Sequence, residues 1–246
     1  MIEFHDISLR FGRKTVLSGV SFAMPERGIT VLAGPNGSGK TTLLSCVNGQ
    51  QRYSGKILFR GEDLNTVPPQ QRAKRIALLP QAMPAPHVTA FELAAFGRSP
   101  HLGISGKLTE NDKEKVWAAL KKVRADDLAD RYVDTLSGGE RQRVNLAMIL
   151  AQDTPCILLD EPTAHLDPAC TAEFVERLLP LKKEKSILLV LHDLSLAVTV
   201  ADYVAVLEAG RLRFFGAKDA CLQENVFEKV FRVRRFTDGD RIFFGT

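Results

Sequence analysis

Val31-Leu32-Ala33-Gly34-Pro35-Asn36-Gly37-Ser38-Gly39-Lys40-Thr41-Thr42 is the stretch from which the rest of this 246-residue chain is read. Its three opening apolar residues suggest the end of a buried strand. Gly34, Gly37 and Gly39 then let the backbone turn tightly enough to aim successive N–H groups inward, and that concavity suits an anion. Lys40 and Thr41 complete G-x-x-x-x-G-K-[ST], the pattern in which the lysine reaches the β and γ phosphates and the hydroxyl binds magnesium. The expected ligand is a nucleoside triphosphate with Mg²⁺, with a helix from about Gly39 to Val47 behind it.

Composition narrows the setting. A hydrophobic content of 45% suits a globular protein with a sizeable core, in one large domain or two lobes. The net charge of +4 is mild, and the basic clusters (Lys182, Lys183, Lys185; Arg232, Arg234, Arg235) are short and lack interleaved aromatics. They read as solvated surface rather than a nucleic-acid face. Cys46, Cys156, Cys170 and Cys221 show no C-x-x-C pairing, and two of them lie in apolar surroundings, as reduced thiols do. The start, Met-Ile-Glu-Phe-His-Asp, is neither basic nor apolar, and no window approaches 18 apolar residues. The expectation is a chain that is neither exported nor membrane-spanning.

In chain order, Ile2-Phe4, Ile7-Leu9, Val20-Phe22 and Ile29-Leu32 read as short strands leading into the phosphate loop. Phe11, in what reads as a turn, serves either core packing or stacking on a base. Gly55 to Gly61 and Ile76 to Leu79 read as further strands, the second placing Gln81 at a strand end. Ligands gather there in open α/β sheets, although a lone glutamine so placed is more often plain surface. The run from Ala82 to His87 is too proline-rich for regular structure. Thr89 and Glu92 then form a capping box for a helix ended by Gly97, and a second helix starts near Thr109. Residues 86–150 read as a helical insert.

Leu136-Ser137-Gly138-Gly139-Glu140 opens another helix with a capping box. Its paired glycines expose N–H groups, a second anion site that has no lysine of its own. Two half-sites about a hundred residues apart suggest that two copies complete each other. Pro155 to Glu161 is an apolar strand ending in paired carboxylates, of which Asp160 can hold Mg²⁺ and Glu161 can polarise an attacking water. The strand from Ser186 to Leu191 ends at His192, which from that position can reach a γ-phosphate. The tail, with strands near Tyr203–Leu207 and Arg211–Phe215 and a helix over Asn225–Phe231, shows no readable chemistry.

Taken together, GPNGSGKTT, Gln81, LSGGE at 136–140, ILLDE, Ala164-His165-Leu166-Asp167 and His192 resemble the ATP-binding cassette (ABC) ATPases in order and spacing, over essentially the whole chain. The resemblance implies an α/β P-loop, RecA-like core with an antiparallel β subdomain and a helical signature subdomain. That is one nucleotide-binding domain over 1–246, with a core of about 1–85 and 151–246 and a helical part of about 86–150. It also implies a head-to-tail homodimer with two ATPs between the phosphate loop of one subunit and Ser137, Gly138 and Gly139 of the other. Matching positions give the phosphate cradle as Gly34, Pro35, Asn36, Gly37, Ser38, Gly39, Lys40, Thr41 and Thr42, with Phe11 as the adenine-stacking aromatic where tyrosine is commoner. Thr41, Gln81 and Asp160 are matched to Mg²⁺, Glu161 to the general base, His192 to the γ-phosphate and Asp167 to a contact across the dimer.

The run from Thr89 to Gly103 and the ending Glu224 to Phe231 resemble importer ATPases of iron-siderophore, haem and cobalamin permeases. This implies two transmembrane permease subunits docking near residues 83–104, a periplasmic or lipid-anchored binding protein acting indirectly, and a peripheral place on the cytoplasmic membrane face. A non-transport cassette ATPase acting on DNA, ribosomes or cluster assembly is the alternative. It is disfavoured because the chain has no long coiled-coil insertion and only one cassette. A GTPase or small-molecule kinase would leave LSGGE unexplained and has no N-K-x-D motif here.

Overall fold

A computed structural model describes residues 1–103, 106–239 and 241–245. The chain opens with β1 (Ile2–Phe11), β2 (Lys14–Met24) and β3 (Gly28–Ala33), followed by α1 (Lys40–Val47), β4 (Ser54–Phe59), the two-residue β5 (Glu62–Asp63), α2 (Pro69–Ala73) and β6 (Ile76–Leu79). Three helices come next: α3 (Ala90–Phe96), α4 (Glu110–Lys122) and α5 (Gly138–Ala151). The chain then returns through β7 (Cys156–Asp160), α6 (Pro168–Leu178), β8 (Ser186–Val190), α7 (Leu194–Val200), β9 (Tyr203–Glu208) and β10 (Arg211–Ala217). It ends in α8 (Lys218–Gln223), α9 (Val226–Phe231) and the hairpin β11 (Arg234–Asp238) to β12 (Arg241–Gly245).

Among the described residues, two large sheets, with a two-stranded β11–β12 sheet beside them, and two cores organise these elements. The larger sheet runs β10-β9-β3-β8-β7-β6, parallel except for β10, and the antiparallel sheet runs β2-β1-β4-β5. Successive side chains of a strand point to opposite faces, so a strand covered on both sides is apolar throughout. In β7, Ile157 and Leu159 enter the core beneath the helices, while Cys156 and Leu158 enter the core shared with the antiparallel sheet. In β8, Ile187 and Leu189 face the first core and Leu188 and Val190 the second.

The structure departs from the sequence reading in several places. The two short strands expected over Ile2–Phe4 and Ile7–Leu9 are one strand, β1, whose pairing register shifts between Phe4 and Ile7. Asp6 takes φ 52° there and its N–H donates to the Ser21 hydroxyl at 2.8 Å. Phe11 is the last residue of β1 rather than a turn residue. Gly97 does end α3, but in a right-handed conformation (φ −58°), so no left-handed turn requires it. It is glycine because a Cβ there would lie 2.0 Å from the Met148 carbonyl of α5. Three cysteines, not two, are buried: Cys46, Cys156 and Cys221, with burial pushing each thiol up to about 12.

The basic clusters are not simply solvated. Lys182 pairs with Asp202 at 2.7 Å, Lys185 donates to the Thr154 carbonyl, and Arg235 spans Glu228 and the Leu222 carbonyl. The strands and helix expected in the tail are present as β9, β10 and α9, and α8 and the β11–β12 hairpin are added to them. Phe244 of the hairpin meets Phe227 edge-on at 5.5 Å, and its N–H donates to the Ser195 hydroxyl of α7.

The helical layer holds a buried ion pair, Arg98 with Asp112 at 2.9 Å, their side chains 3% and 8% exposed. The second oxygen of Asp112 accepts from the N–H and hydroxyl of Thr109 in the capping box of α4, and Arg98 also donates to the Ala151 carbonyl. Hydrogen bonds from Thr109, then Arg98, hold the carboxyl down at about 2 against an ordinary 3.8. Asp112→Asn is expected to cost about 3 kcal/mol at neutral pH, because it leaves a buried guanidinium without its counter-ion. A depressed carboxyl contributes fully above its unfolded value and loses that contribution as pH falls through its folded one. Denaturant unfolding at stepped pH should therefore show the gap between variant and wild type closing from near 4 towards 2. A gap that stays constant across that window rejects the assignment.

Candidate functional site

Beyond β3 the chain turns through Gly37 (φ 76°) and Gly39 (φ 103°), conformations that side chains with a Cβ rarely adopt. Gly39 caps α1, and its missing side chain also makes room for Leu17, whose Cδ2 would lie 2.7 Å from an added Cβ. Gly34 is needed for space: its Cβ would lie 2.3 Å from the Leu207 carbonyl and 2.5 Å from the Ser38 hydroxyl. Lys40 is buried and donates from Nζ to the carbonyls of Gly34 (2.8 Å) and Pro35 (3.2 Å), so its cationic head sits inside the loop. Burial lowers its pKa, with Glu161 and Asp160 pulling the other way.

The parallel sheet delivers the remaining groups. Register aligns Leu79, Leu159 and Leu189 across β6, β7 and β8, so the residues just past these strand ends, Gln81, Glu161 and His192, meet. Glu161 takes φ 50° and donates its N–H to the Val190 carbonyl. Its side chain receives Gln81 Nε2 on one oxygen at 2.7 Å and lies 2.5 Å from His192 Nε2 with the other.

An open cleft of about 750 Å³ is lined by Phe11, Asn36, Gly37, Ser38, Gly39, Lys40, Thr41, Thr42, Gln81, Glu161 and His192. Phe11 is 51% exposed on its wall. Gly34 and Pro35 lie behind the loop as acceptors for Lys40. Asp160 lines an adjoining cavity of about 270 Å³ with Thr41 and Gln81.

Asp160 is buried and one of its oxygens, Oδ1, has no hydrogen-bond partner. Burial raises its pKa, and the Thr41 hydroxyl on the same cavity acts in the opposite sense. An orphaned carboxylate oxygen, a hydroxyl and an amide around one cavity form an all-oxygen donor set, which suits a hard divalent cation such as Mg²⁺.

Ser137, Gly138, Gly139 and Asp167 do not line this cleft. Ser137 caps α5, its N–H donating to Glu140 (2.8 Å) and its hydroxyl accepting from the Glu140 N–H (3.3 Å), as the spacing predicted. Asp167 caps α6 and stays exposed. Gln142 donates to the Pro162 carbonyl at 2.6 Å, tying α5 to the segment after Glu161. Sequence reading missed Lys14, Thr15, Val16, Ala209 and Gly210 on the cleft wall. Gly210 marks the place where the two sheets touch, since its Cβ would lie 2.3 Å from the Val16 carbonyl. The closeness of Lys14 to Phe11 was the available signal.

Comparison with known proteins agrees with this geometry. The family model described as ABC transporter matches residues 17–164, more than half of the chain. This chain belongs to the ABC transporter family. It is the family's ATPase, and ATP binding follows from membership. It is 35% identical to the petrobactin import ATP-binding protein YclP of Bacillus subtilis, over 94% of this chain and 92% of that one. It is 39% identical, over the same shares, to the hemin import ATP-binding protein HmuV of Pseudomonas fluorescens. The ADP conformation of MJ1267, an ATP-binding cassette of an ABC transporter, superimposes with a TM-score of 0.84 at 24% identity, covering 94% and 98% of the two chains. Among the described residues, no helix is long and apolar enough to cross a membrane.

Asp160→Asn removes a buried charge that lacks a partner on one oxygen. It is expected to raise the stability of the ligand-free protein by about 1 kcal/mol in urea unfolding with chelator present. A loss of stability would mean that Thr41 and Lys40 hold the carboxylate more firmly than burial opposes it.

Proposed function

We propose that this chain is the ATP-hydrolysing subunit of an importer for an iron chelate, a siderophore or haem. The observation that carries the substrate class is the nearly full-length match, at 35% and 39% identity, to import proteins named for petrobactin and hemin. The chain is read as one nucleotide-binding domain, 1–246, with residues 86–150 as its helical part. Its partners are two permease subunits docking near residues 83–104, of which 104 lies outside the described residues. A binding protein would act on it only through the permease, at the cytoplasmic face of the membrane.

In this reading two copies meet head to tail. ATP lies with its phosphates on the loop from Gly34 to Thr42 and its base against Phe11, and Ser137, Gly138 and Gly139 of the partner close over it. Support comes from the separation in one protomer: the phosphate loop and Glu161 share a cleft from which the Ser137–Gly139 turn is absent. Lys40 holds the β and γ phosphates. Thr41 and Asp160, with Gln81, would hold Mg²⁺, which when bound neutralises charge across those phosphates. Glu161 takes a proton from water as its oxygen bonds to the γ phosphorus, and the bond to the β–γ bridging oxygen breaks, leaving ADP and phosphate. His192 contacts the γ-phosphate, and Asp167 reaches across to the other site.

Two outcomes test this reading. Glu161→Gln should retain ATP binding while turnover falls about 10²–10⁴-fold and an ATP-bound dimer accumulates on gel filtration. Turnover close to wild type would remove Glu161 from the role of base. Ser137→Arg should abolish hydrolysis while leaving nucleotide affinity of the isolated subunit unchanged. An unaltered rate would show that each chain works alone.

A further inference from the structure

Gly139 and Asp167, assigned above to the surface that meets the partner's nucleotide, are also joined within one chain. Gly139 is the second residue of α5, with an ordinary helical backbone, so nothing in its conformation calls for glycine. Alanine would be the better helix former. What an alanine would meet is Cys170: an added Cβ would lie 2.5 Å from the cysteine Sγ and 3.3 Å from its Cβ, so the cysteine would have to shift. At Gly138, by contrast, the added Cβ would come no nearer than 4.0 Å to Leu166.

Cys170 stands in the first turn of α6 and is held from its other side by Asp167. Its N–H donates to the Asp167 carboxylate at 2.8 Å. One residue therefore meets Gly139 through its side chain and the Asp167 carboxylate through its N–H. Gln142 and Pro162 fix the same two segments a turn further on.

We propose that Cys170 is a positioning residue: wedged between Gly139 and Asp167, it sets the spacing of the two groups this chain presents to its partner's nucleotide. The proposal rests on the two-protomer reading of the site. It differs from a phosphate-clearance account of Gly139, because the space a side chain would need is filled from inside the same protomer. The thiol is small enough to pass under a glycine. Serine keeps a group of similar size beneath the glycine, and alanine leaves that space empty, while both keep the N–H bond to Asp167.

The test compares Cys170→Ala, Cys170→Ser, Gly139→Ala and Gly139→Ala with Cys170→Gly as full-length proteins, each first checked for wild-type-like thermal unfolding. Cys170→Ala should lower kcat about tenfold, leave ATP affinity of the isolated subunit within twofold of wild type, and weaken ATP-dependent dimerisation. Cys170→Ser should recover most of that loss. Gly139→Ala should be nearly inactive, and emptying the cysteine position beside it should restore at least about tenfold of the lost rate. Cys170→Ala with wild-type kcat, or a double variant no better than Gly139→Ala, overturns the proposal. The Ser137→Arg variant run in parallel separates the two levels. If that substitution leaves hydrolysis intact, the two-protomer reading itself has failed, whereas an inactive Ser137→Arg beside an unaffected Cys170→Ala defeats only the role given to the cysteine.

Discussion

The site depends first on the parallel register of buried strands. Leu32 of β3 pairs with Val190 of β8, and Val190 with Asp160 of β7, while Leu79, Leu159 and Leu189 line up one step earlier. Since side chains alternate, a slip of one residue in any of these strands would exchange its two buried faces and carry its terminal polar residue away from the others. Both faces are committed to different cores, so the apolar packing that stabilises the sheet is also what brings Gln81, Glu161 and His192 together. Glu161 adds the last turn through its positive φ, which directs the side chain back towards Gln81 and His192.

A second constraint is close approach. Gly34 lies against the Leu207 carbonyl, Gly97 against the Met148 carbonyl, Gly139 against Cys170 and Gly210 against the Val16 carbonyl. Each contact joins segments distant in sequence: loop to β9, α3 to α5, α5 to α6, and the turn between β9 and β10 to β2. A methyl group at any of them would force backbone or a short side chain to move in a tightly packed interior. These glycines hold the phosphate loop, the helical layer and the antiparallel sheet at fixed separations.

This explains which features the sequence made legible. The phosphate loop, the capping boxes at Thr89 and Ser137 and the strand ending in Asp160 and Glu161 are local patterns whose spacing carries their chemistry. The structure returns them within a residue or two. Gly97 was legible as a helix end but not for its reason, because the Met148 carbonyl lies about fifty residues away in sequence. The Arg98–Asp112 pair was invisible for the same cause, as was the attachment of Lys185 to Thr154. The β11–β12 hairpin was missed because its register pairs Phe236 with Phe243 on an exposed face and Arg235 with Phe244 on the packed one. That mixture gives no clean alternation of apolar and polar residues.

Glu161 is where these local and distant arrangements meet. Its carboxylate is bonded to Gln81, which opens the proline-rich segment leading into α3, and to His192, which precedes the Asp193 cap of α7. Its own chain runs on through Pro162, held by Gln142 of α5, to Asp167 and Cys170 under Gly139. The hydrogen bonds in this set end on a backbone carbonyl, a capping carboxylate or Glu161 itself. The set runs from the start of the helical layer on one side to the N-terminus of α5 on the other, the two regions that a membrane partner and a second protomer meet in the proposed function.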